Sequence, residues 1–366
     1  MTTEENEDGE DGVLEVNAEF VRHLHDHVVE AARRLGPGHV DVLKLRANYA
    51  VLRGAALATR PMKDDAEPMW EAHIREFQDI LNGYETALGP EDSRTLKTCE
   101  QLAAAYRAAG RNTEAITYYQ RALAGYDRTL GPDNAARTLS TRHGLAKAYR
   151  ADGQMERAVA LLEETVEGSR RALAPGHEDT RKRAVELFTA YLDTGRHPEA
   201  ITLGRQLLTE HQRYFGADHL QTFGWMSDLG VAYHEAGDPQ QALEWYERAL
   251  AGINPICGPD HPVTITVRTD LATAYHDVGR FADAIEPLRA NLNTYLRIRH
   301  PDHVDVYDAR GRLARAYRQA EYRAEAAAAF EHLLADVLRV NGPNHPAVPG
   351  LRAETEQART EADATQ

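Results

Sequence analysis

Two pairs of residues have the types and spacing of metal ligands. In the stretch CGPDHP, Cys257 lies four residues before His261, and thiolate sulfur and imidazole nitrogen both bind Zn²⁺. His23 and His27 are also four residues apart, which places two imidazoles on one face of a helix. A zinc site needs at least three protein ligands, and His23 and His27 have no third ligand in register. The sequence therefore predicts no metal site and no bound cofactor.

A third pair of residues could support acid–base catalysis. His234 adjoins Glu235, and His276 adjoins Asp277. An imidazole beside a carboxylate can exchange a proton near neutral pH. No serine or cysteine nucleophile motif, glycine-rich phosphate loop or HExxH motif accompanies these residues. The sequence leaves enzymatic activity open and favours a protein without it.

The charge and composition limit the partners. The chain has 366 residues and a formal net charge of −15. Nucleic acid and anionic lipid are bound by basic surfaces, so we expect neither as a partner. Residues 1–12 carry six acids and no base, unlike a signal peptide, and no apolar run is long enough to predict a membrane span. Cys99 and Cys257 are far apart in sequence, which indicates a reducing compartment, and we expect a cytoplasmic location.

The stretch CGPDH is one member of a regular series. Its equivalents are LGPGH from Leu35, LGPED from Leu88, LGPDN from Leu130, LAPGH from Leu173, FGADH from Phe215, RHPDH from Arg299 and NGPNH from Asn341. From Leu88 onward, successive members are 42 or 43 residues apart. The histidine recurs and the cysteine does not, so this motif is better explained as a boundary between helices: Gly258 ends one helix and His261 begins the next.

Each period contains the same two amphipathic segments separated by a turn. In LGVAYHEAGDPQQAL, from Leu229, apolar residues recur at i, i+3 and i+4 on both sides of Gly237, which predicts a helix pair. Glycine at this turn adopts the left-handed conformation that ends the first helix. The equivalent glycines are Gly110, Gly153, Gly195 and Gly279. In the sixth period Glu321 takes this position, which predicts a strained or differently shaped turn.

These landmarks resemble a known repeat family. A leucine, a small residue and a tyrosine on the first helix (Leu229, Gly230, Tyr233), followed by an alanine and an aromatic on the second (Ala242, Tyr246), resemble the tetratricopeptide repeat. The 42-residue period with its GPDHP boundary is similar to the kinesin light chain type, which is common in actinobacterial proteins. The resemblance covers residues 19–359. It implies an all-α fold, a right-handed superhelical α-solenoid of antiparallel helix pairs, in which the recurring tyrosines are core residues.

The repeat boundaries predict the organisation of the chain. In order, we expect a disordered acidic N-terminus (1–12), a half-repeat helix (13–35), an irregular repeat (36–88) with an inserted loop (59–70), six regular repeats (89–342), and a capping helix with a tail (343–366). The irregular repeat has Arg53 where the others have tyrosine. Its inserted loop could act as a lid or fill the imperfect repeat, and the second alternative is favoured.

The resemblance also implies where a ligand lies. Family ligands contact fixed positions on the first helix of each pair, which fall near 8, 11, 15 and 18 residues after the boundary glycine and share one helical face. Only five of the 42 basic residues are lysine, and four of those five occupy such positions. Clustered ammonium groups on a concave surface recruit carboxylate or phosphate. The candidate ligand-binding residues are Lys44, Lys97, Arg107, His143, Lys147, Arg150 and Lys182 in the N-terminal half, and Asp228, His234, Asp270, His276, Arg315 and Arg318 in the C-terminal half.

Two classes of function remain open at this point. The first is a non-enzymatic scaffold, with a regulatory role, whose groove binds an extended acidic peptide, a C-terminal carboxylate or a phosphate-bearing ligand of a partner protein. The second is an enzyme or small-molecule sensor that uses the His, Asp and Lys residues of the groove. A homodimer through the terminal helices is compatible with either class.

Overall fold

The computed structural model describes residues 8–58, 66–129, 135–174 and 176–364. These residues form sixteen α-helices and no strand. The helices are α1 Asp8–Leu35, α2 Val40–Ala58, α3 Ala66–Leu88, α4 Ser93–Ala108, α5 Asn112–Thr129, α6 Ala135–Ala151, α7 Met155–Ala172, α8 Glu178–Asp193, α9 His197–Phe215, α10 Leu220–Glu235, α11 Pro239–Cys257, α12 Pro262–Asp277, α13 Phe281–Ile298, α14 Val304–Gln319, α15 Arg323–Asn341 and α16 Val348–Asp363. The chain divides into two compact units, Met1–Ala190 and Tyr191–Gln366.

The boundary histidines begin the next helix by capping it. In His261, Nδ1 accepts a hydrogen bond from the backbone N–H of Val263 at 3.2 Å, and His303 and His219 cap α14 and α10 in the same way. In α4 the carboxylate of Asp92 has this role, at 2.9 Å from the Arg94 nitrogen. A side-chain acceptor at this position satisfies an N–H that has no partner within the helix. The recurring histidine therefore caps the helix that follows it, at the helix start that the boundary interpretation of CGPDHP predicted.

The turn within each pair has the same backbone shape in all regular repeats. The residue at the turn has a positive φ, which is 75° at Gly279 and 63° at Glu321. The N–H of Tyr322 bonds to the carbonyl of Tyr317 across that turn at 2.9 Å, as Arg280 bonds to Tyr275 at 2.8 Å. The sixth turn thus keeps its shape and places a glutamate in the left-handed region, which carries backbone strain for a residue with a Cβ.

The N-terminal region differs in detail from the prediction. Helix α1 begins at Asp8, so residues 8–12, expected in a disordered terminus, are helical, while residues 1–7 lie outside the described part. An acidic sequence favours the start of a helix, because the N-terminal end of the helix dipole is positive. Helix α3 begins at Ala66, so residues 66–70 of the predicted loop are helical, and residues 59–65 lie outside the described part.

The end of the predicted insertion packs into the irregular repeat. Trp70 is buried on α3, with its ring 5.6 Å from that of His73. Arg53, which stands where the other repeats have tyrosine, pairs with Glu76 at 3.3 Å. Trp70, the last residue of the predicted insertion, therefore contributes to the core. Burial, and secondarily the charge of Arg53, lower the pKa of His73 to about 4, so this imidazole is neutral at neutral pH.

Within each unit, helices that follow one another in the chain pack together, as α2 and α3 do in unit 1 and α10 and α11 do in unit 2. In unit 1, α2 also contacts α4 and α4 contacts α6, which brings together the first helices of successive pairs. In unit 2, α10 and α12 have the same relationship. The recurring tyrosines lie at these junctions: the side-chain amide of Gln78 on α3 donates to the hydroxyl of Tyr106 at 2.7 Å, and that of Gln120 on α5 donates to Tyr149 at 2.8 Å. Each tyrosine thereby joins one repeat to the second helix of the repeat before it.

Candidate functional site

In unit 1 the predicted basic residues lie on the first helices of successive pairs. Lys44 on α2 and Lys97 on α4 occupy equivalent positions, and both are exposed. Within the described ranges, no acidic group lies within 4.0 Å of either ammonium group. Arg107, further along α4, is half-buried, and its Nε makes no hydrogen bond to any described residue. These three cations therefore lie on one pair of neighbouring helices.

The next two predicted residues share a carboxylate. Glu186 on α8 lies 2.6 Å from Nε2 of His143 and 2.9 Å from Nζ of Lys147, both on α6. Burial of Glu186 opposes its ionisation, but the hydrogen bonds from His143 and Lys147 outweigh this effect and lower the pKa of Glu186. The carboxylate is thus ionised at neutral pH and offsets the charge of Lys147. Glu186 was not among the predicted site residues.

The remaining predicted cations of unit 1 lie further along this series of helices. Lys182 on α8 is 65% exposed, and its Nζ lies 2.6 Å from a carboxylate oxygen of Glu178 one turn earlier on the same helix. Such a pair is solvated and weak. Arg150, at the end of α6, is exposed. The predicted cations thus lie on the first helices of successive pairs and differ in charge compensation, which the sequence did not show.

In unit 2 a chain of polar contacts links the equivalent faces. Nε2 of His234 on α10 lies 2.7 Å from Asp277 on α12, and the other oxygen of Asp277 lies 3.1 Å from Nδ1 of His276. Nε2 of His276 in turn lies 2.9 Å from the amide nitrogen of Gln319 on α14. Burial opposes ionisation of Asp277, but hydrogen bonds from His276 and His234 outweigh it and lower its pKa. Both histidines are thus held by one carboxylate.

Two further carboxylates in unit 2 have shifted pKa values. Loss of hydration against the surrounding protein raises the pKa of Asp228 to about 6, although its outer surface is exposed. Burial also raises the pKa of Asp270, while the charges of His234 and Arg312 act in the opposite direction. Neither carboxylate has a hydrogen bond or ion pair to another described residue in the structure. A group that has lost hydration without gaining a partner is poised to bind a donor.

The last two predicted residues, Arg315 and Arg318, lie on α14. Nε of Arg315 is 3.2 Å from a carboxylate oxygen of Glu354 on α16. The guanidinium of Arg318 lies 5.5 Å from the ring centroid of Phe330. Arg315 contributes to the exposed face, whereas Arg318 is half-buried against the repeat core.

The predicted positions of the fifth repeat line two cavities between α12, α13 and α14, each of about 250 Å³. The first is lined by Thr266, Thr269 and Asp270, and the second by Thr269, Thr273 and His276, among others. Arg312, which sequence reasoning missed, lines both. The sequence contains a signal for it: Glu186, Asp228, Asp270 and Arg312 all lie twelve residues after their boundary position, and the predicted set includes only the two aspartates.

The two histidines singled out on α1 contact each other. The rings of His23 and His27 are 4.6 Å apart, edge to face, as expected for neighbours on one helical face. In the part of the chain that the structure describes, no cluster of three or more His, Cys, Asp or Glu side chains could hold a metal ion.

Comparisons with known proteins agree with the repeat pattern. Two family models, both described as tetratricopeptide repeat, match residues 92–171 and 186–254, and residues 264–305 and 308–347. Comparison with curated protein sequences gives no match. None of the described helices combines the length and apolar character that a membrane crossing requires.

Solved structures give likenesses of the same type. TPR-like repeats described as those of a kinesin light chain from Podosopora anserina are 27% identical, with 57% of this chain and 97% of that chain covered and a TM-score of 0.49. BtubC (BKLC) from P. vanneervenii is 18% identical, with 63% and 92% covered and a TM-score of 0.51. The C-terminal part of a TPR repeat-containing protein from Cytophaga hutchinsonii is 13% identical, with 78% and 99% covered and a TM-score of 0.51. The last two likenesses support the same all-α solenoid fold.

Proposed function

Because the chain belongs to the tetratricopeptide repeat family, whose arrays are protein-interaction scaffolds, we propose that its unit 1 binds an anionic segment of a partner protein. The ligand is an extended acidic peptide, a C-terminal carboxylate or a phosphorylated segment. It contacts the face formed by α2, α4, α6 and α8. We place this activity in the cytoplasm and assign the protein no catalytic role.

The observation that carries the proposal is the pair Lys44 and Lys97. They occupy equivalent positions on helices that contact each other, and both ammonium groups are exposed and without an acidic partner among the described residues. An acidic protein with a net charge of −15 thus presents two of its five lysines together on one face. Carboxylate and phosphate oxygens form strong charge-assisted hydrogen bonds with such groups.

The half-buried Arg107 extends this basic face toward the turn of its repeat. Its Nε is buried and makes no hydrogen bond to any described residue. A ligand oxygen that reached Arg107 would supply the missing acceptor, which favours binding. The planar guanidinium also suits a carboxylate or phosphate, since it can donate two parallel hydrogen bonds.

The ion pair between Lys147 and Glu186 reduces the attraction of this face for anions at α6. An anionic ligand that reached α6 would compete with Glu186 for the ammonium group of Lys147. We therefore propose that Lys44, Lys97 and Arg107 provide most of the attraction, and that His143, Lys147, Arg150 and Lys182 extend it. Phe20, which is 57% exposed on α1, is the feature that would support a homodimer through a terminal helix.

The proposal is tested with peptides and the full chain. A fluorescein-labelled peptide rich in glutamate and ending in a free carboxylate is compared with its lysine-rich counterpart by fluorescence anisotropy. We expect the acidic peptide to bind more tightly, with an affinity that falls as salt is added, because exposed charges are screened. The double variant Lys44→Glu/Lys97→Glu should lose at least about tenfold in affinity, since two attractive charges become repulsive.

A charge reversal outside the proposed face provides the control. Arg213 is exposed on α9, the second helix of its pair, outside the proposed face. The variant Arg213→Glu should bind the acidic peptide as the wild type does. Equal binding of both peptides, or unchanged affinity in the double lysine variant with an unchanged circular dichroism spectrum, would show that unit 1 is not the basic site.

A further inference from the structure

The first cavity in unit 2 is lined by an unusual set of acceptors. It lies between α12, α13 and α14, has a volume of about 250 Å³, and its wall includes Asp270, Asp305, Asp308 and Asn291. Arg312 is its one basic lining residue. Leu288 and Ala309 provide buried apolar surface beside these groups.

Asn291 carries an unsatisfied acceptor in this wall. The residue is 3% exposed, and its Nδ2 donates to the carbonyl of Ile265 and to Oγ1 of Thr269, each at 3.0 Å. Because both partners accept, the nitrogen must be where these bonds are and the oxygen must be the other atom. That oxygen, Oδ1, is buried and accepts no hydrogen bond from a described residue. A buried acceptor without a donor costs free energy, so the cavity favours a ligand that donates.

The charges around the cavity favour a cation. Asp305 pairs with Arg299 at 3.4 Å, outside the cavity lining. Asp270 and Asp308 have no ion pair or hydrogen bond to another described residue, and Arg312 acts on Asp270 as a single positive charge. Two carboxylates face one guanidinium, so the lining retains net negative charge. Asp270 has already lost hydration in the free protein. A cation that binds there therefore removes little additional water from the carboxylate.

We propose that this cavity binds the guanidinium of an arginine side chain from a partner peptide. An arginine side chain has five N–H donors in a fixed plane and no acceptor, which matches separate acceptors on Asp270, Asp308 and Asn291. The site is distinct from the basic face of unit 1 and takes the opposite charge. It lies wholly within unit 2 and does not depend on the ligand proposed for unit 1.

The second cavity indicates which type of side chain lies beside the arginine in the partner peptide. It shares Thr269, Leu288 and Arg312 with the first, which places the two side by side. Its other lining residues include Ala272, Ala284 and Phe281, which form an apolar wall. An apolar side chain next to the arginine in the peptide therefore has a place to bury its surface. The recognised feature is an arginine adjacent to an apolar residue such as leucine.

The test uses the full chain and three short peptides. Each is an alanine hexapeptide with a fluorescein label at its N-terminus and an amidated C-terminus, so that no terminal carboxylate can bind to unit 1. The central pair is Arg-Leu, citrulline-Leu or Glu-Leu, and citrulline keeps the shape of arginine without its charge. By fluorescence anisotropy, the Arg-Leu peptide should bind about tenfold more tightly than either of the others, because its bonds to carboxylates are charge-assisted.

Variants of the chain then locate the binding. Asp270→Asn and the exposed Asp308→Asn should each weaken binding of the Arg-Leu peptide several-fold and leave that of the citrulline peptide unchanged. Asp218→Asn, which removes the same charge from an exposed boundary residue outside the cavity, should have no effect. Equal binding of the arginine and citrulline peptides overturns the proposal, as does an Arg-Leu affinity that both cavity variants leave unchanged while their thermal melts match the wild type. Neither outcome bears on the acidic-peptide site of unit 1.

Discussion

Nζ of Lys147 lies 2.9 Å from a carboxylate oxygen of Glu186, on the first helix of the next repeat. A lysine that the sequence places in a basic face is thereby paired with an acid 39 residues later. The contact joins α6 to α8 and weakens the positive potential between them. An anionic ligand must therefore compete with Glu186 for Lys147 when it binds to this part of the basic face.

Removal of this acid should therefore strengthen anion binding. We expect Glu186→Gln to raise the affinity of unit 1 for the glutamate-rich peptide by about threefold to tenfold, since it frees Lys147 without changing side-chain shape. Fluorescence anisotropy at two salt concentrations measures the effect. Glu199→Gln, which removes an acid paired with Arg196 on α9, is the control and should change nothing. A weaker affinity in Glu186→Gln would mean that the pair orders the site.

The capping role of the boundary histidines can be tested at His261. Replacement by alanine removes the acceptor for the N–H of Val263 and should lower the free energy of unfolding by about 1 kcal/mol. His261→Asp should restore the loss, because Asp92 caps α4 with the same geometry. Urea denaturation followed by circular dichroism gives both values. If alanine and aspartate behave alike, the histidine is present for another reason.

The turn at Glu321 predicts an unusual gain of stability. With φ at 63°, this residue has the conformation that glycine adopts at the equivalent position of the other turns. We expect Glu321→Gly to raise the free energy of unfolding by about 1 kcal/mol, by removing the strain of a Cβ in the left-handed region.

The reciprocal variant is Gly279→Ala. A Cβ at Gly279 would meet no atom within 4 Å, so any loss comes from the backbone alone. It should lower stability by about 1 kcal/mol in the same urea titration. Changes of the same sign in the two variants would contradict the strain argument.

His73 should make the protein sensitive to acid. Its pKa in the folded state is about 4, below the ordinary value of 6.5, so the unfolded chain binds its proton more tightly. The contribution of neutral His73 to the free energy of unfolding is fully present above pH 6.5. It is lost as the pH falls from 6.5 through 4, which lowers the free energy of unfolding by about 3 kcal/mol in all.

The variant His73→Leu should flatten this pH dependence, because the side chain no longer binds a proton. The free energy of unfolding, measured in urea between pH 7 and pH 4, provides the comparison. His332→Leu, at an exposed histidine on α15, should keep the slope of the wild type. If the free energy of unfolding of His73→Leu still falls with pH as in the wild type, other groups cause the acid sensitivity.

Much of the fold was predictable because its signals are local. The 42-residue period, the turn glycines such as Gly237 and the capping residues such as His261 act over a few positions of the chain, where hydrogen bonds and backbone sterics decide helix starts and stops. The position of each first helix relative to its boundary followed from the same count. That count placed Lys44 and Lys97 on equivalent faces, which the contact between α2 and α4 brings together.

The sequence by itself determined the repeat register, the helix pairs and the residues that occupy each exposed face. Only the tertiary structure decided which of those residues neutralise one another and where a cavity remains. Glu186 compensates Lys147, and Asn291 keeps an unsatisfied oxygen in the wall beside Asp270, because side chains distant in sequence meet at geometries that no local pattern encodes. Charge compensation and cavity shape depend on distances of a few ångströms between helices, and those distances are set by the packing of the whole repeat.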